Sequence, residues 1–300
     1  MLKLTTLILS CAVALFSFGN LKDCDGKVQS PTLPGNEKAV AKEAAPVDKA
    51  ETAPVDEAEA VAAEAKAEPD LLAAPIEGEI LLVREGYTCS YNTTTFQPNY
   101  VAWTLTPQKL EGTIKRSGSF YEDPDLSKDQ KALLEDYYNS GFDRGHMCPA
   151  ADNKWSAQAM HDCFYLSNMS PQTHTLNAGD WEQLESACRS WVKRGNVTIH
   201  IVCGPLFEGK THRKINRRVP VPEKYFKAVV CTQEGKQKGI AFVYNNNTEQ
   251  HPMPYYVCTI DEVEELTGFD LFATLSPALQ EEIESQSNLS DWSRKTAPQQ

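Results

Sequence analysis

The sequence predicts an α+β domain built on a mostly antiparallel sheet. Segments with the composition of strands are interspersed with segments of helical periodicity, and their spacing does not match regular βαβ repeats. The chain has 300 residues, which is enough for one substantial domain plus a tail. Its apolar and charged fractions, 41% and 23%, are ordinary for a globular protein. We place the folded domain at residues 79–292.

Six segments have the composition of β-strands, because β-branched and aromatic residues are concentrated in them. In chain order they are Ile80–Val83, Tyr87–Tyr91, Tyr100–Leu105, Val197–Gly204, Tyr225–Cys231 and Gly239–Tyr244. The fourth segment gives a strong strand signal and is followed by a proline. The last two are separated by a turn-rich stretch, so we expect them to be consecutive strands.

Three segments have helical spacing and are expected to flank the sheet. The first, Ser127–Tyr138, would begin with Ser127 as its N-cap. The second, Leu176–Arg194, has an apolar face formed mostly by Trp181, Leu184, Cys188, Trp191 and Val192. The third covers residues 260–285 and is acidic.

The N-terminus has the pattern of an export signal. A short, weakly positive start is followed by the apolar run Leu4–Phe18, and Ser17 and Gly19 are small residues at plausible cleavage positions. We expect residues 1–19 to be a signal peptide or an N-terminal anchor. The protein would then be secreted, periplasmic or on the cell surface, and membrane anchoring through this segment stays open.

Residues 20–78 are predicted to be a disordered linker, and residues 293–300 a flexible tail. Most of the linker consists of Ala, Glu, Pro, Val and Lys, and no aromatic residue lies between Pro31 and Pro75. Such a composition cannot bury enough apolar surface to offset the entropy lost on ordering.

The distribution of charge permits a nucleic-acid partner that the net charge of −12 at first disfavours. Residues 31–80 hold 12 acidic and 4 basic side chains, and residues 261–291 hold 9 acidic side chains and no basic ones. Residues 81–260 hold 18 acidic and 20 basic side chains. The acidity therefore lies in two flanks, and the middle of the chain can carry a basic groove.

The nine cysteines of an exported chain suggest at least some disulfide bonds, since an oxidising compartment permits them. Seven of them fall in the predicted domain, so at least one thiol there is unpaired, and the connectivity is not given by the sequence. None has the Cys-x-x-Cys spacing of a structural zinc site.

Two polar segments lie beside predicted core elements and suit hydrolysis of a phosphodiester. The first is Gly141–Ala150, which contains Asp-Arg-Gly-His, and the second is Leu166–Arg189. Cleavage needs a base to deprotonate water and a cation to balance the charge that forms on oxygen. Imidazole suits the first task because its pKa lies near neutrality. Hard oxygen ligands suit Mg²⁺, which usually takes one or two from the protein.

The second segment would present several such groups on one helix. Asn177 and Glu185 are eight residues apart, just over two helical turns, and share a face if the helix is unbroken. Glu185 and Arg189 are neighbours four residues apart. With His146 from the first segment, these residues predict a single-metal site.

The combined motif resembles the DNA/RNA non-specific endonuclease family. Its parts are Asp143-Arg144-Gly145-His146, then Ser-Asn-x-x-Pro-Gln at 167–172, then Asn177 and Leu184-Glu185. These ββα-metal, or His-Me finger, nucleases include bacterial sugar-non-specific nucleases and mitochondrial endonuclease G. The resemblance covers about residues 80–285. It implies a ββα finger and hydrolysis of DNA and RNA with little sequence preference, which leaves 5′-phosphate and 3′-hydroxyl ends.

The resemblance implies three roles in the reaction. His146 would be the general base that activates water. Asn177 would be the one protein ligand of Mg²⁺, for which Mn²⁺ or another divalent cation could substitute. Glu185 would orient a metal-bound water.

The resemblance also implies contacts to phosphate and structural support. Arg144 and Arg189 would stabilise phosphate charge, and Arg116 would bind a further phosphate. Asp143 would support the motif or the orientation of the histidine, and Asn168 would hold its loop together.

Two other interpretations stay open. The chain could be a catalytically silent nucleic-acid-binding surface protein, although every motif position holds a chemically competent residue. It could instead be a phosphodiesterase that acts on a non-polymeric substrate. A basic cluster would bind the nucleic-acid backbone or form a solvated loop, and it consists of Lys210, Arg213, Lys214, Arg217 and Arg218. The oligomeric state is unknown from the sequence.

Overall fold

The computed structural model describes residues 72–293, and its largest element is a seven-stranded sheet. The strands in this part of the chain are β1 (Ile80–Val83), β2 (Thr88–Asn92), β3 (Gln97–Leu105), β4 (Asp143–His146), β5 (Met169–Gln172), β6 (Ile199–Leu206), β7 (Lys214–Ile215), β8 (Val219–Pro220), β9 (Lys224–Cys231), β10 (Lys238–Asn245) and β11 (Val257–Cys258). The main sheet has the order β1-β2-β3-β6-β9-β10-β11, and its neighbouring strands are antiparallel. β4 pairs with β5, and β7 with β8, in two small antiparallel sheets. The predicted α+β fold with an antiparallel central sheet is confirmed.

The helices of the described residues are α1 (Ala157–Asp162), α2 (Trp181–Gly195), α3 (Ile260–Thr267), α4 (Pro277–Glu284) and α5 (Leu289–Ser293). The acidic region predicted as helical is divided into α3 and α4. The hydroxyl of Thr259 caps the start of α3, and Gly268 ends it with a left-handed φ of 71°. Within residues 72–293, no helix combines the length and the apolar character that a membrane span requires.

The central strands of the main sheet are buried on both faces. On β3, Val101 and Trp103 belong to the apolar cluster that includes α2, which we call the first face. Tyr100 and Ala102 belong to the cluster that includes α3 and α4, the second face. Successive strand residues point to opposite faces, so a strand covered on both sides is apolar throughout. This explains why the strand segments are continuous apolar runs.

A long excursion of the chain separates two neighbouring strands of the main sheet. β3 ends at Leu105 and β6 begins at Ile199, yet the two strands pair, with Val101 opposite Cys203. The excursion, residues 106–198, contains β4, β5, α1 and α2. It therefore holds both polar segments found in the sequence.

Contacts with the second face begin before the predicted domain boundary at residue 79. Ala73 is buried, and the N–H of Ala74 donates to the carbonyl of Asp270 at 2.7 Å. The other predicted segments lie outside the described residues: the signal or anchor at 1–19, the linker up to residue 71, and the tail from residue 294.

The predicted helix Ser127–Tyr138 is wrong. Only Leu134–Tyr137 is helical there, as a single 3₁₀ turn, and Leu133 before it is extended. The buried carboxylate of Asp136 accepts a hydrogen bond from the N–H of Leu133 and pairs with Arg218 at 2.9 Å. These contacts hold the segment in a tight turn, and they override its local helical spacing.

The expectation of disulfide bonds is wrong for residues 72–293, whose seven cysteines are all free thiols. Six of the seven are buried, where a thiol packs as a small apolar side chain. The thiol of Cys89, for example, donates to the carbonyl of Ser167 at 3.4 Å. Burial raises the pKa of Cys163 to about 12, which keeps this thiol protonated and unreactive.

One buried histidine should make the stability of the domain depend on pH. His200 on β6 is buried, and its Nδ1 lies 3.0 Å from the hydroxyl of Thr104 on β3. Burial, with the nearby charge of Lys109, lowers the pKa of His200 from 6.5 to about 4. The unfolded chain therefore takes up this proton near pH 6.5, and the folded chain only near pH 4. The contribution of neutral His200 to the free energy of unfolding is therefore complete above pH 6.5 and is lost as the pH falls to 4.

We expect His200 alone to lower the free energy of unfolding by about 3 kcal/mol between pH 7 and pH 4. Urea unfolding of the wild type and of His200→Gln at both pH values measures this quantity. Between pH 7 and pH 4, the free energy of unfolding should fall by about 3 kcal/mol less in His200→Gln than in the wild type. Equal losses in the two proteins would contradict the assignment.

Candidate active site

A polar cavity of about 390 Å³ opens beside β4 and the start of α2. Six of the eight residues predicted from the sequence line it, and these are Arg116, Asp143, Arg144, His146, Asn177 and Glu185. The other lining residues are Phe120, Phe142, Pro149, Ala150 and Glu182. Asn168 and Arg189 lie outside this cavity.

The Asp-Arg-Gly-His motif forms β4, which pairs with β5 ahead of α2, so the predicted ββα order is present. Gly145 is required in this strand, because a Cβ there would lie 2.1 Å from the side-chain oxygen of Gln172. The indole N–H of Trp181, the first residue of α2, donates to the carbonyl of His146 at 3.2 Å. This hydrogen bond ties the helix to the end of β4.

Asn168 holds the loop between the two polar segments. Its side-chain oxygen accepts from the N–H of Cys148 at 2.9 Å. Its side-chain nitrogen donates to the carbonyls of Cys148 and Cys163, at 2.9 and 2.8 Å. Through these hydrogen bonds the side chain of Asn168 connects its own turn to the backbone at Cys148 and Cys163.

His146 is buried between two aromatic rings. Its ring centre lies 4.9 Å from that of Phe164, nearly perpendicular, and 5.6 Å from that of Phe120. Burial, together with the positive charge of Arg116, lowers the pKa of His146 to about 3. Its Nε2 is buried and has no hydrogen-bond partner among the described residues. The ring is therefore neutral at physiological pH and keeps one nitrogen free of protein contacts.

Asn177 precedes the regular part of the helix. The segment Leu176–Asp180 is a π-type turn, and Gly179 within it leaves the helical region at φ −119° and ψ −107°. The predicted unbroken helix from Leu176 is wrong for this reason. Asn177 nevertheless lines the same cavity as Glu185.

Asp143 orients Asn177 rather than His146. The side-chain nitrogen of Asn177 donates to Oδ2 of Asp143 at 2.9 Å. The same oxygen lies 2.8 Å from Nδ1 of His174. Because the nitrogen of the Asn177 amide is engaged in this way, its oxygen is the end available to a ligand in the cavity.

Glu185 lies above a buried lysine that sequence reasoning missed. Burial raises the pKa of Glu185 to about 7, although the charge of Lys227 opposes that rise. Lys227 is fully buried, its Nζ lies 4.2 Å from the ring centre of Trp181, and it has no hydrogen-bond partner within residues 72–293. Its signal in the sequence is a lysine inside the apolar strand Tyr225–Cys231, at a position of the first face.

Two arginines in the cavity stack on aromatic rings. The guanidinium carbon of Arg144 lies 4.6 Å from the ring centre of Phe120. That of Arg116 lies 5.1 Å from the ring centre of Phe164. Neither forms an ion pair with a carboxylate of the described residues. Both cations are therefore positioned by the rings and keep their N–H groups for an anion.

Three further lining residues were missed by the sequence reasoning. Glu182 is three residues before Glu185 on α2, so helical spacing would have placed it on the same face. Phe142 directly precedes Asp143 and stacks under Arg213 of the basic cluster, at 4.7 Å. Phe120 had no signal in the sequence.

Arg189 does not join the cavity, in contrast to its predicted role. One of its nitrogens lies 3.0 Å from the carboxylate of Asp152, and the other donates to the hydroxyl of Ser186 at 2.8 Å. Asp152 is only 3% exposed and also accepts from the indole of Trp103. Arg189 therefore compensates a buried carboxylate.

Replacing Arg189 with methionine should lower the free energy of unfolding by about 3 kcal/mol, because it leaves the buried charge of Asp152 without its cation. Urea unfolding measures the loss. Arg194→Met is the matched control, since Arg194 is exposed on the same helix and its loss should cost under about 0.5 kcal/mol. Unchanged stability in Arg189→Met would refute the structural assignment.

Comparison with known proteins adds to this geometry. The sequence profile described as "DNA/RNA non-specific endonuclease" matches residues 73–278. The mitochondrial nuclease EXOG of Xenopus laevis is 32% identical over 231 residues, which cover 72% of this chain and 64% of that protein. The mitochondrial endonuclease G of Homo sapiens is 33% identical over 62% of this chain and 67% of its own length. A nuclease of Nostoc is 33% identical over 68% of this chain and 77% of its length.

The chain thus spans about two thirds of the length of the first two relatives. Among solved structures, a chain of the EndoG/EndoGI complex superposes with a TM-score of 0.62 and 24% identity. The superposition covers 65% of this chain and 86% of that chain. At this identity the likeness concerns the fold.

Proposed function

The chain belongs to the DNA/RNA non-specific endonuclease family, and from this premise we propose that it is a metal-dependent endonuclease. Its substrates would be DNA and RNA, cut with little sequence preference to leave 5′-phosphate and 3′-hydroxyl ends. One observation carries the proposal. A neutral His146 with an unpartnered Nε2 shares one cavity with the amide of Asn177, the carboxylate of Glu185 and two arginines without acidic partners.

The donors in the cavity fit a hard divalent cation. Asn177 has its side-chain nitrogen tied to Asp143, which directs its oxygen to the ligand. Glu182 and Glu185, one turn apart on α2, add carboxylates to the lining. These are oxygen donors, as Mg²⁺ prefers, and Mn²⁺ or another divalent cation could substitute. When bound, the ion would supply positive charge to the phosphate oxygens.

The protein residues account for the transfer of the proton. His146 takes a proton from water through its free nitrogen, and the water oxygen attacks phosphorus while the bond to the 3′ oxygen breaks. The departing 3′ oxygen takes a proton from solvent water and becomes the 3′-hydroxyl. Glu185 accepts a hydrogen bond from water and orients it. A phosphate beside His146 raises the pKa of its imidazole from the low value caused by burial, because the negative charge favours the protonated ring.

The two arginines of the cavity explain why the substrate would be a phosphodiester. Arg144 and Arg116 donate hydrogen bonds to the non-bridging oxygens of the phosphodiester. Hydrogen bonds of this kind are charge-assisted and therefore strong. Their aromatic supports, Phe120 and Phe164, keep both guanidinium groups in place before the substrate arrives. Arg213 on Phe142 could extend the contact along a polymer backbone.

We further propose that the protein acts outside the cytoplasm. The support is the apolar run Leu4–Phe18 with small residues after it. The acidic linker would then separate the enzyme from a membrane, if the N-terminal segment stays attached as an anchor. Detergent-free fractionation followed by N-terminal sequencing distinguishes a cleaved signal from an anchor.

An assay on supercoiled plasmid and on total RNA tests the activity. We expect both polymers to be cut in Mg²⁺, cutting to stop in EDTA, and the new ends to carry 5′-phosphate. Binding of the plasmid without cutting in any divalent cation would favour the silent nucleic-acid-binding protein. Faster hydrolysis of a small chromogenic diester than of the polymers would favour a phosphodiesterase of small substrates.

A further inference from the structure

Three carboxylates converge on the second face of the sheet, away from the cavity. Asp261 and Glu264 lie one turn apart on α3, and Glu284 is the last residue of α4. One carboxylate oxygen from each lies within 4.8 Å of those of the other two. Negative charge is therefore concentrated where α3 meets α4.

No basic side chain of residues 72–293 neutralises this cluster. None of its three carboxylates forms an ion pair with a lysine, arginine or histidine there. One oxygen of Glu264 accepts from the N–H of Leu271 at 2.6 Å, which orients this carboxylate within the cluster. The backbone thus fixes the carboxylate of Glu264 but leaves the negative charge of the three carboxylates without a basic partner.

Glu284 gives an independent indication of a ligand. Its side chain is only 7% exposed, and its Oε1 is buried with no hydrogen-bond partner among the described residues. It also lies at the C-terminal end of α4, where the helix dipole is negative. A carboxylate in such a position costs free energy unless a proton or a cation compensates it, and burial together with Glu264 and Asp261 raises the pKa of Glu284 to about 7.

We propose that Asp261, Glu264 and Glu284 bind one calcium ion, which joins α3 to α4. Ca²⁺ takes oxygen ligands at 2.3–2.6 Å, so two oxygens on one ion can be about 5 Å apart. The three oxygens lie within 4.8 Å of one another, so one such ion can contact all three. Mg²⁺ is usually held by one or two carboxylates and keeps several waters, so three protein carboxylates favour Ca²⁺. The exposed Asp261 leaves one side of the ion open to water, which completes the coordination.

The ion is structural in this proposal, and it is independent of the proposed nuclease activity. Ile260 and Val263 of α3 and Ile283 of α4 pack into the second face. A cation between the two helices would hold these side chains on the sheet. With three protein carboxylates and several waters, we expect a dissociation constant of about 10⁻⁴ M, as in weak extracellular calcium sites.

Thermal unfolding with and without Ca²⁺ tests the site. Every protein carries Asn177→Ala, so that an ion in the cavity contributes little, and the whole chain is used. We expect the melting temperature of this parent to rise by about 4 °C at a tenfold excess of Ca²⁺ over the dissociation constant. Adding Glu284→Gln should abolish the rise, and adding Asp261→Asn, at an exposed position that tolerates change, should abolish or strongly reduce it.

A second readout separates binding from a merely structural effect. Without Ca²⁺, Glu284→Gln should melt above the parent because it removes a buried, repelled charge, and with Ca²⁺ the order should reverse. Glu265→Gln, exposed on α3 outside the cluster, should respond to Ca²⁺ as the parent does. The proposal is overturned by an equal rise in the parent and in both cluster variants, by no rise in the parent, or by a larger response to Mg²⁺ than to Ca²⁺.

Discussion

Replacing His146 with alanine should slow cleavage of supercoiled plasmid by about 10³-fold, the usual contribution of a general base. The buried, neutral ring is the group in the cavity best suited to accept a proton from water, since its Nε2 has no protein partner. Initial rates of plasmid relaxation at saturating Mg²⁺ measure the effect. The loss should lie in kcat rather than in KM, because the ring does not hold the phosphate.

The fold of His146→Ala should remain intact, which circular dichroism and the urea midpoint establish. His251→Ala is a suitable control, because His251 stacks on Tyr255 at 4.0 Å and does not line the cavity. It should cut plasmid at nearly the wild-type rate. A His146→Ala protein that keeps a tenth or more of the wild-type rate would rule out the general-base role.

Replacing Asn177 with alanine should raise the Mg²⁺ concentration needed for half-maximal cleavage by about 100-fold or more. The reason is that the variant removes the neutral oxygen donor that Asp143 holds toward the cavity. Titration of cleavage with Mg²⁺ gives this value, and calorimetric titration of the ion without nucleic acid checks that the change lies in metal binding.

Asp143→Ala provides a graded comparison. This variant leaves the amide of Asn177 in place but no longer fixes its orientation. We therefore expect the Mg²⁺ concentration for half-maximal cleavage to rise by about 10-fold, as for other residues that orient metal ligands. Gln183→Ala, exposed on α2 and outside the cavity, should leave the titration unchanged. An unaltered Mg²⁺ titration in Asn177→Ala would refute its role as a ligand.

The sequence was sufficient to predict the sheet and the family. The apolar run at Tyr225–Cys231 is a strand with nearly the predicted bounds, because both faces of this strand are buried and only Lys227 interrupts its apolar residues. Ile80–Val83 is also a strand, although Leu81 and Val83 are exposed at the edge of the sheet. The family inferred from the polar motifs is confirmed by the match to residues 73–278. Six of the residues that the motif singled out line one cavity, which the β4-β5 pair and the helix that follows bring together.

The remaining differences arise from contacts between distant parts of the chain. Spacing alone put Arg189 beside Glu185, and the two charges do interact, but the guanidinium is hydrogen-bonded to the buried carboxylate of Asp152, 37 residues away in the chain. The N-cap and periodicity at Ser127 suggested a helix, yet Asp136 and Arg218 hold a turn there. The sequence shows Lys227 as a lysine inside an apolar strand, but no local pattern reveals that this residue of β9 lies near Glu185 of α2.

The excursion between β3 and β6 has a consequence for how this enzyme can change. All eleven residues that line the cavity fall between positions 116 and 185, within that one stretch of chain. The seven strands that carry the stretch contribute none of them. A substitution that alters the lining of the cavity can therefore leave the strands of the main sheet unchanged. A substitution at Trp181 or Leu184 affects both, because these side chains of the excursion pack in the apolar core of the first face.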